Sequence, residues 1–223
     1  MLRSVILITV AFLTTARPSL ARQGSSAAPS PGFPVPGMAE YSVQLGLDRA
    51  GHIQSLLIFH HADQIQSLDV CSEEPVPRED KVGTLAVTDY NFDGFPDLAL
   101  QVAANRNKND KFCIWLFDPQ ARRYVASPEL SGLTNARPDP KTRTVYSFTN
   151  MDCLYCYEKK NYAWKDGRLE LARVETMTVD PLTGPGSGAC NFVLSIQEPQ
   201  NGRLKLVSSE RVNSSGVRCI ARD

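Results

Sequence analysis

From Tyr41 to Ala221 one local pattern recurs: short strand-like runs rich in apolar residues, some alternating with polar ones, broken by turn residues. YSVQLGL, HIQSLLIFHH, IQSLDVC, TLAVTD, DLALQVAA, KFCIWLF, RRYVAS and TRTVYSF all read this way. So do NYAWK, RLELARVETMTV, NFVLSIQ, RLKLVSSERV and VRCIA. A period of two puts successive side chains on opposite faces, which suits a half-buried strand and not a helix. Asp48 to Gly51 predicts a turn between the first two runs, and Asp118 to Ala121 another. Asp166-Gly167 and Asn201-Gly202 are the strongest hairpin signals, because a tight two-residue turn needs left-handed backbone at both positions. No run has the length and 3.6 periodicity of a long amphipathic helix. Pro128 to Pro140 reads as a loop with one helical turn. The expectation is an all-β domain of antiparallel hairpins, either a β-propeller-like array or a β-sandwich. Strict internal repeats are absent, so periodicity alone does not select the propeller.

One interruption carries chemistry. Asp89-Tyr-Asn91-Phe-Asp93-Gly94-Phe95-Pro-Asp97 reads D-x-N-x-D-G-x-x-D. Side-chain oxygens stand at loop positions 1, 3, 5 and 9, and the Phe95 carbonyl adds position 7. Calcium takes oxygen ligands, and glycine at position 6 permits the sharp turn that gathers them. An EF-hand would have flanking helices and a glutamate at position 12. Here position 12 is Leu100, inside a strand-like run. The expected site is therefore a strand-loop-strand Ca2+ site, with Asp89, Asn91, Asp93, Phe95 and Asp97 as ligands.

The N-terminus predicts export. Arg3, the apolar run Ser4 to Thr15 and Ser19-Leu20-Ala21 have the order of a signal peptide, with cleavage after Ala21. The apolar run is too short to span a bilayer. Residues 22–39 are rich in Pro, Ser and Gly and read as a flexible tether, leaving 40–223 as a single all-β domain. Removal of 1–21 takes away Arg3 and Arg17, so 22 basic side chains face 24 acidic ones. That balance gives no pull toward nucleic acid.

Six cysteines, Cys71, Cys113, Cys153, Cys156, Cys190 and Cys219, follow the leader. An even count behind a signal peptide points to an oxidising compartment and disulfides, the periplasm being expected and secretion the alternative. Cys71 and Cys113 flank the ion loop on strand-like runs and are expected to pair, leaving the other four to pair among themselves. Cys153-x-x-Cys156 lacks the βαβ context of a redox pair and a second pair for zinc, so it reads as structural. A stapled loop would hold Tyr155 and Tyr157 stiffly, and rigid tyrosines suit a protein interface, the alternative being that the two alternate into the core. His52, His60 and His61 read as structural histidines, and Trp115 and Trp164 as core. Glu73 to Asp80 reads as a solvated charged loop.

The run TLAVTDYNFDGFPDLAL resembles the calcium loops of integrin-type FG-GAP repeats. With CIWLFDPQARRYVASPELSGL and NYAWKDGRLEL, it looks like a family of exported bacterial proteins with a β-propeller-like fold and one calcium loop. A characterised member is a periplasmic immunity protein. It inhibits a lysozyme-like, peptidoglycan-cleaving effector of a type IV secretion system. The resemblance implies calcium at Asp89, Asn91, Asp93, Phe95 and Asp97, and a protein partner of the peptidoglycan-hydrolase class. Signatures of common enzymes (H-E-x-x-H, G-x-S-x-G, G-x-x-x-x-G-K) are missing. A non-catalytic binding protein is therefore expected. The alternatives are a structural envelope module and a calcium-dependent secreted hydrolase.

Overall fold

A computed structural model describes residues 33–77, 82–182 and 191–217. The expected signal peptide, most of the tether, Arg78 to Asp80 of the charged loop, Cys190, Cys219 and nearly all of VRCIA lie outside the described residues.

The described residues form three antiparallel sheets. The first has the order β1-β2-β3-β4, with β1 Phe33–Val35, β2 Met38–Leu47, β3 Ile53–His60 and β4 Asp63–Asp69. The second has the order β5-β6-β7-β8, with β5 Leu85–Thr88, β6 Asp97–Ala103, β7 Lys111–Asp118 and β8 Arg123–Ala126. A single helical turn, α1 Pro128–Ser131, follows. The third sheet is a meander of six strands: β9 Arg137–Asp139, β10 Thr144–Asn150, β11 Tyr157–Lys165, β12 Arg168–Val179, β13 Phe192–Gln200 and β14 Arg203–Val212.

Apolar residues on both faces of β6 and β7 explain how the sheets stack. On β6 and β7, Leu98, Leu100, Cys113, Trp115 and Phe117 point one way, into a core shared with Tyr41, Val43, Leu56, Ile58 and Leu68 of the first sheet. The intervening Ala99 and Ile114 point the other way, into a core shared with Leu130, Val145, Trp164 and Leu169. Its central strands β6 and β7 are thus buried on both faces, and the second sheet lies between the other two. Gln66 on β4 stitches one boundary, donating to the Tyr124 carbonyl at 2.7 Å and accepting its amide at 2.9 Å. Asn135 stitches the other, donating to the carbonyls of Lys108 and Phe148, both at 2.8 Å.

The all-β, hairpin-built expectation matches this arrangement. No closed ring of blades and no barrel forms among the described residues, and the three stacked antiparallel sheets are consistent with the β-sandwich alternative. The hairpin signals also match. Asp166 and Gly167 have φ of 50° and 73°, and Asn201 and Gly202 have 54° and 74°, as a type I′ turn requires. Three elements differ from expectation. Phe33–Val35 and the start of β2 fall within the expected tether, because Pro34 and Ser42 come into register and close an edge hairpin. Arg137–Asp139 forms a short edge strand within the expected loop, pairing with Thr144 to Tyr146. Strand β11 begins at Tyr157 instead of Asn161, since Glu158 and Lys159 register against Thr176 and Glu175.

Candidate functional site

The expected ion loop connects β5 to β6. Thr88 and Asp97 are paired in register, so residues 89–96 form the loop of an antiparallel hairpin. Gly94 has φ +92° and Phe92 has φ 60°. These two left-handed residues coil the chain tightly enough to turn backbone amides inward. The Asp89 carboxylate accepts the Gly94 amide at 2.9 Å and the Asp93 amide at 3.2 Å. Asn91 Oδ1 accepts the same Asp93 amide at 3.2 Å, and its Nδ2 donates to Asp93 Oδ2 at 2.8 Å. Asp93 Oδ1 accepts the Phe95 amide at 2.8 Å.

Asp97 differs from the others. It is fully buried (0 % exposed), and its two oxygens accept the amides of Tyr90 at 2.7 Å and Phe117 at 2.8 Å. It ties the base of the loop to the neighbouring strand β7. Burial pushes its carboxyl up to about 7. The two amide bonds oppose that rise, and the nearby charges of Asp93 and Asp89 add to it.

The surroundings hold the loop from several directions. Trp164 donates its indole N–H to the Tyr90 carbonyl at 2.8 Å. Arg143 donates to the Phe92 carbonyl at 2.9 Å, and its guanidinium lies 5.6 Å from the centre of the Phe92 ring. Tyr90 donates its hydroxyl to the Ala136 carbonyl at 3.2 Å, and Tyr124 donates to the Pro96 carbonyl at 3.3 Å.

The donor set suits a hard cation. Three carboxylates, one amide oxygen and the Phe95 backbone carbonyl belong to one loop, and each carboxylate oxygen keeps a lone pair after accepting one hydrogen bond. Mutual repulsion among the aspartates is what a divalent cation relieves. The side chains of Asp89, Asp93 and Asp97 do not close to within 4.8 Å of one another as a group; that distance is met, among the described residues, by Glu40, His60 and His61.

The cysteines follow expectation where they are described. Cys71 and Cys113 lie at disulfide distance, with Cα atoms 5.6 Å apart, and so do Cys153 and Cys156, at 5.2 Å. The second pair closes the loop between β10 and β11, where Met151 N–H donates to the Cys156 carbonyl at 3.0 Å. The two tyrosines of this loop part company. Tyr155 is 53 % exposed, beside Leu154 at 77 %. Tyr157 is half-buried, stacks on Phe148 at 5.1 Å and donates to Glu175 at 2.6 Å. Tyr155 also has φ 72°, a left-handed backbone rare for a bulky residue.

Trp115 is buried as expected, and Trp164 is partly buried against the second core. A cleft of about 550 Å³ lies between the edge strand β5 and β9–β10, lined by Thr84, Thr88, Tyr90, Gln101, Arg137 and Tyr146. Nothing in the local sequence marks it, because it arises where the small outward residues of β5 meet a separate sheet.

A solved structure shares this fold. It is described as a Xanthomonas type IV secretion system related protein. The match has a TM-score of 0.55 at 16 % identity and covers 81 % of this chain and 98 % of the other. At that identity the likeness concerns the fold. No family model matches the chain, and no curated protein matches it. No helix among the described residues is long and apolar enough to cross a membrane.

Proposed function

We propose that this chain is an exported, calcium-binding, non-catalytic protein that binds and inhibits a lysozyme-like peptidoglycan hydrolase. The observation that carries the reading is the loop from Met151 to Cys156. Leu154 and Tyr155 stand exposed at its tip, and the Cys153–Cys156 link holds the loop closed. Exposed apolar side chains on a pre-organised loop lose little entropy on binding, which makes them good anchors for a partner's cleft. Tyr155 fits that role. Tyr157 acts behind it, its hydroxyl fixed on Glu175 and its ring on Phe148.

Three further points support the reading. The fold is shared with a secretion-system related protein. Cysteine pairs at disulfide distance suit an oxidising compartment such as the periplasm. The three consecutive antiparallel meanders, stacked face to face, fit an open propeller-like array of blades. In this reading Asp89, Asn91, Asp93, the Phe95 carbonyl and Asp97 hold calcium, and the ion braces the β5–β6 hairpin.

The test is peptidoglycan lysis by a type IV secretion-delivered, lysozyme-like hydrolase, followed by turbidity in calcium. Added protein should suppress lysis, and Tyr155→Ala or Leu154→Ala should weaken the inhibition by about tenfold or more. Undiminished lysis at a large excess of the wild-type protein would leave the structural envelope module as the better reading. Release of sugar or peptide by the protein alone would favour a hydrolase.

A further inference from the structure

The first sheet carries a constellation that the calcium loop and the Tyr155 loop do not use. Glu40 sits on β2, and His60 and His61 end β3 and begin its turn into β4. Adjacent residues of a strand point to opposite faces, so neighbouring histidines ordinarily cannot share a ligand. Here the alternation is broken. His61 has φ 54°, and its amide donates to the Glu40 carbonyl at 2.7 Å. The two imidazole rings come within 4.5 Å of each other. His60 Nε2 lies 2.9 Å from Glu40 Oε2. One donor atom from each of Glu40, His60 and His61 falls within 4.8 Å of the other two. The Tyr41 ring, 5.0 Å from the His60 ring, flanks the cluster on the side of the first core.

Two imidazoles and one carboxylate are a donor set that holds zinc in sites that keep one position open. Zinc–donor distances of about 2.0–2.2 Å separate tetrahedral ligands by a little more than 3 Å, so the 2.9 Å pair of Glu40 and His60 needs to part only slightly. His60 is half-buried, while Glu40 and His61 face solvent, which leaves a metal free to enter. We propose that Glu40, His60 and His61 form a binding site for a zinc-class divalent cation, with its fourth position open to water or to a donor from another molecule. Imidazole nitrogen selects such metals over calcium, and the all-oxygen loop at Asp89 to Asp97 has the opposite preference. The two sites are therefore chemically separate, and this proposal stands or falls independently of the calcium and inhibitor readings.

The experiment is zinc titration of the full exported chain by calorimetry, in excess calcium so that the oxygen loop does not compete. One zinc per chain is expected. His61→Ala, at an exposed turn, should lower the affinity by at least about tenfold with the fold unchanged by circular dichroism. Glu40→Gln should weaken binding, and His52→Ala should not. Cobalt added in place of zinc should give the visible absorption of a four-coordinate ion, lost in His61→Ala. Absence of zinc binding to the wild-type chain, or binding equally tight in folded His61→Ala, would overturn the proposal.

Discussion

Trp164, on the third sheet, donates its indole N–H to the backbone carbonyl of Tyr90, 74 residues earlier and inside the β5–β6 loop. The bond couples the loop's shape to a strand that it does not pair with. Trp164→Phe keeps most of the ring and removes the donor. A hydrogen bond of this kind contributes about 1 kcal/mol, and the carbonyl left behind adds to the loss. Urea unfolding should show a destabilisation of roughly 1–2 kcal/mol, and calcium affinity should fall because the loop is less well held.

Calcium itself should stabilise the folded chain. A ligand that binds only the native state adds about 2.7 kcal/mol at a hundredfold excess over its dissociation constant. Melting curves recorded with increasing calcium should move upward until the site is full. Asp93→Ala should abolish the response, since Asp93 is exposed and its loss leaves the cores intact. A melting temperature that calcium does not move would argue against ion binding at 89–97.

Asp97 predicts the pH dependence of the calcium-free protein. Its carboxyl is raised from 3.8 to about 7, chiefly by burial. Between those values the native state holds a proton that the unfolded chain has released. The contribution of Asp97 to stability is therefore full below about 4, declines as the pH rises to about 7, and is level beyond. Asp97→Asn removes the titrating group and should flatten that decline. Calcium should flatten it too, because a nearby cation favours the charged carboxylate.

If the proposed inhibitor role holds, the two cysteine pairs should separate stability from inhibition. Cys71 and Cys113 are 42 residues apart in sequence, and closing a loop of that length is worth about 4 kcal/mol in the chain-entropy account. Cys153 and Cys156 are three apart, and the same account gives about 2 kcal/mol. Replacing the first pair by alanine should lower the urea midpoint more. Replacing the second should cost less stability but more inhibition, because it frees the loop that presents Leu154 and Tyr155.

Much of this fold could be read from local sequence, and the reason is local chemistry. Asp166-Gly167 and Asn201-Gly202 specify their turns through the backbone that they tolerate. Leu98-Ala99-Leu100, apolar without a break, already hints at a strand covered on both faces. The left-handed backbone at His61 has no marker in the sequence, so HIQSLLIFHH reads as one strand through His61 where β3 ends at His60. Short edge strands were missed at Pro34 and Pro138, where proline argues against a strand yet an edge position tolerates it.

The candidate sites were legible in the same uneven way. The oxygen-bearing residues of the 89–97 loop are close in sequence, so their spacing marks them as candidate donors. Arg143 and Trp164 reach that loop from 51 and 74 residues away, a distance that no motif spans. Glu40 meets His60 only because β2 and β3 pair with Tyr41 opposite His60, and the left-handed turn at His61 has no sequence signature.

The sheet of β5 to β8, apolar on both sides, makes the folded chain indivisible. A fragment ending before Arg137 would leave Ala99 and Ile114 facing water, and one beginning after Asp69 would do the same to Leu98, Trp115 and Phe117. Neither half has anywhere else to hide that surface. Limited proteolysis should therefore trim the ends and exposed loops, and a cut that separates the layers should yield aggregates instead of two smaller folded pieces.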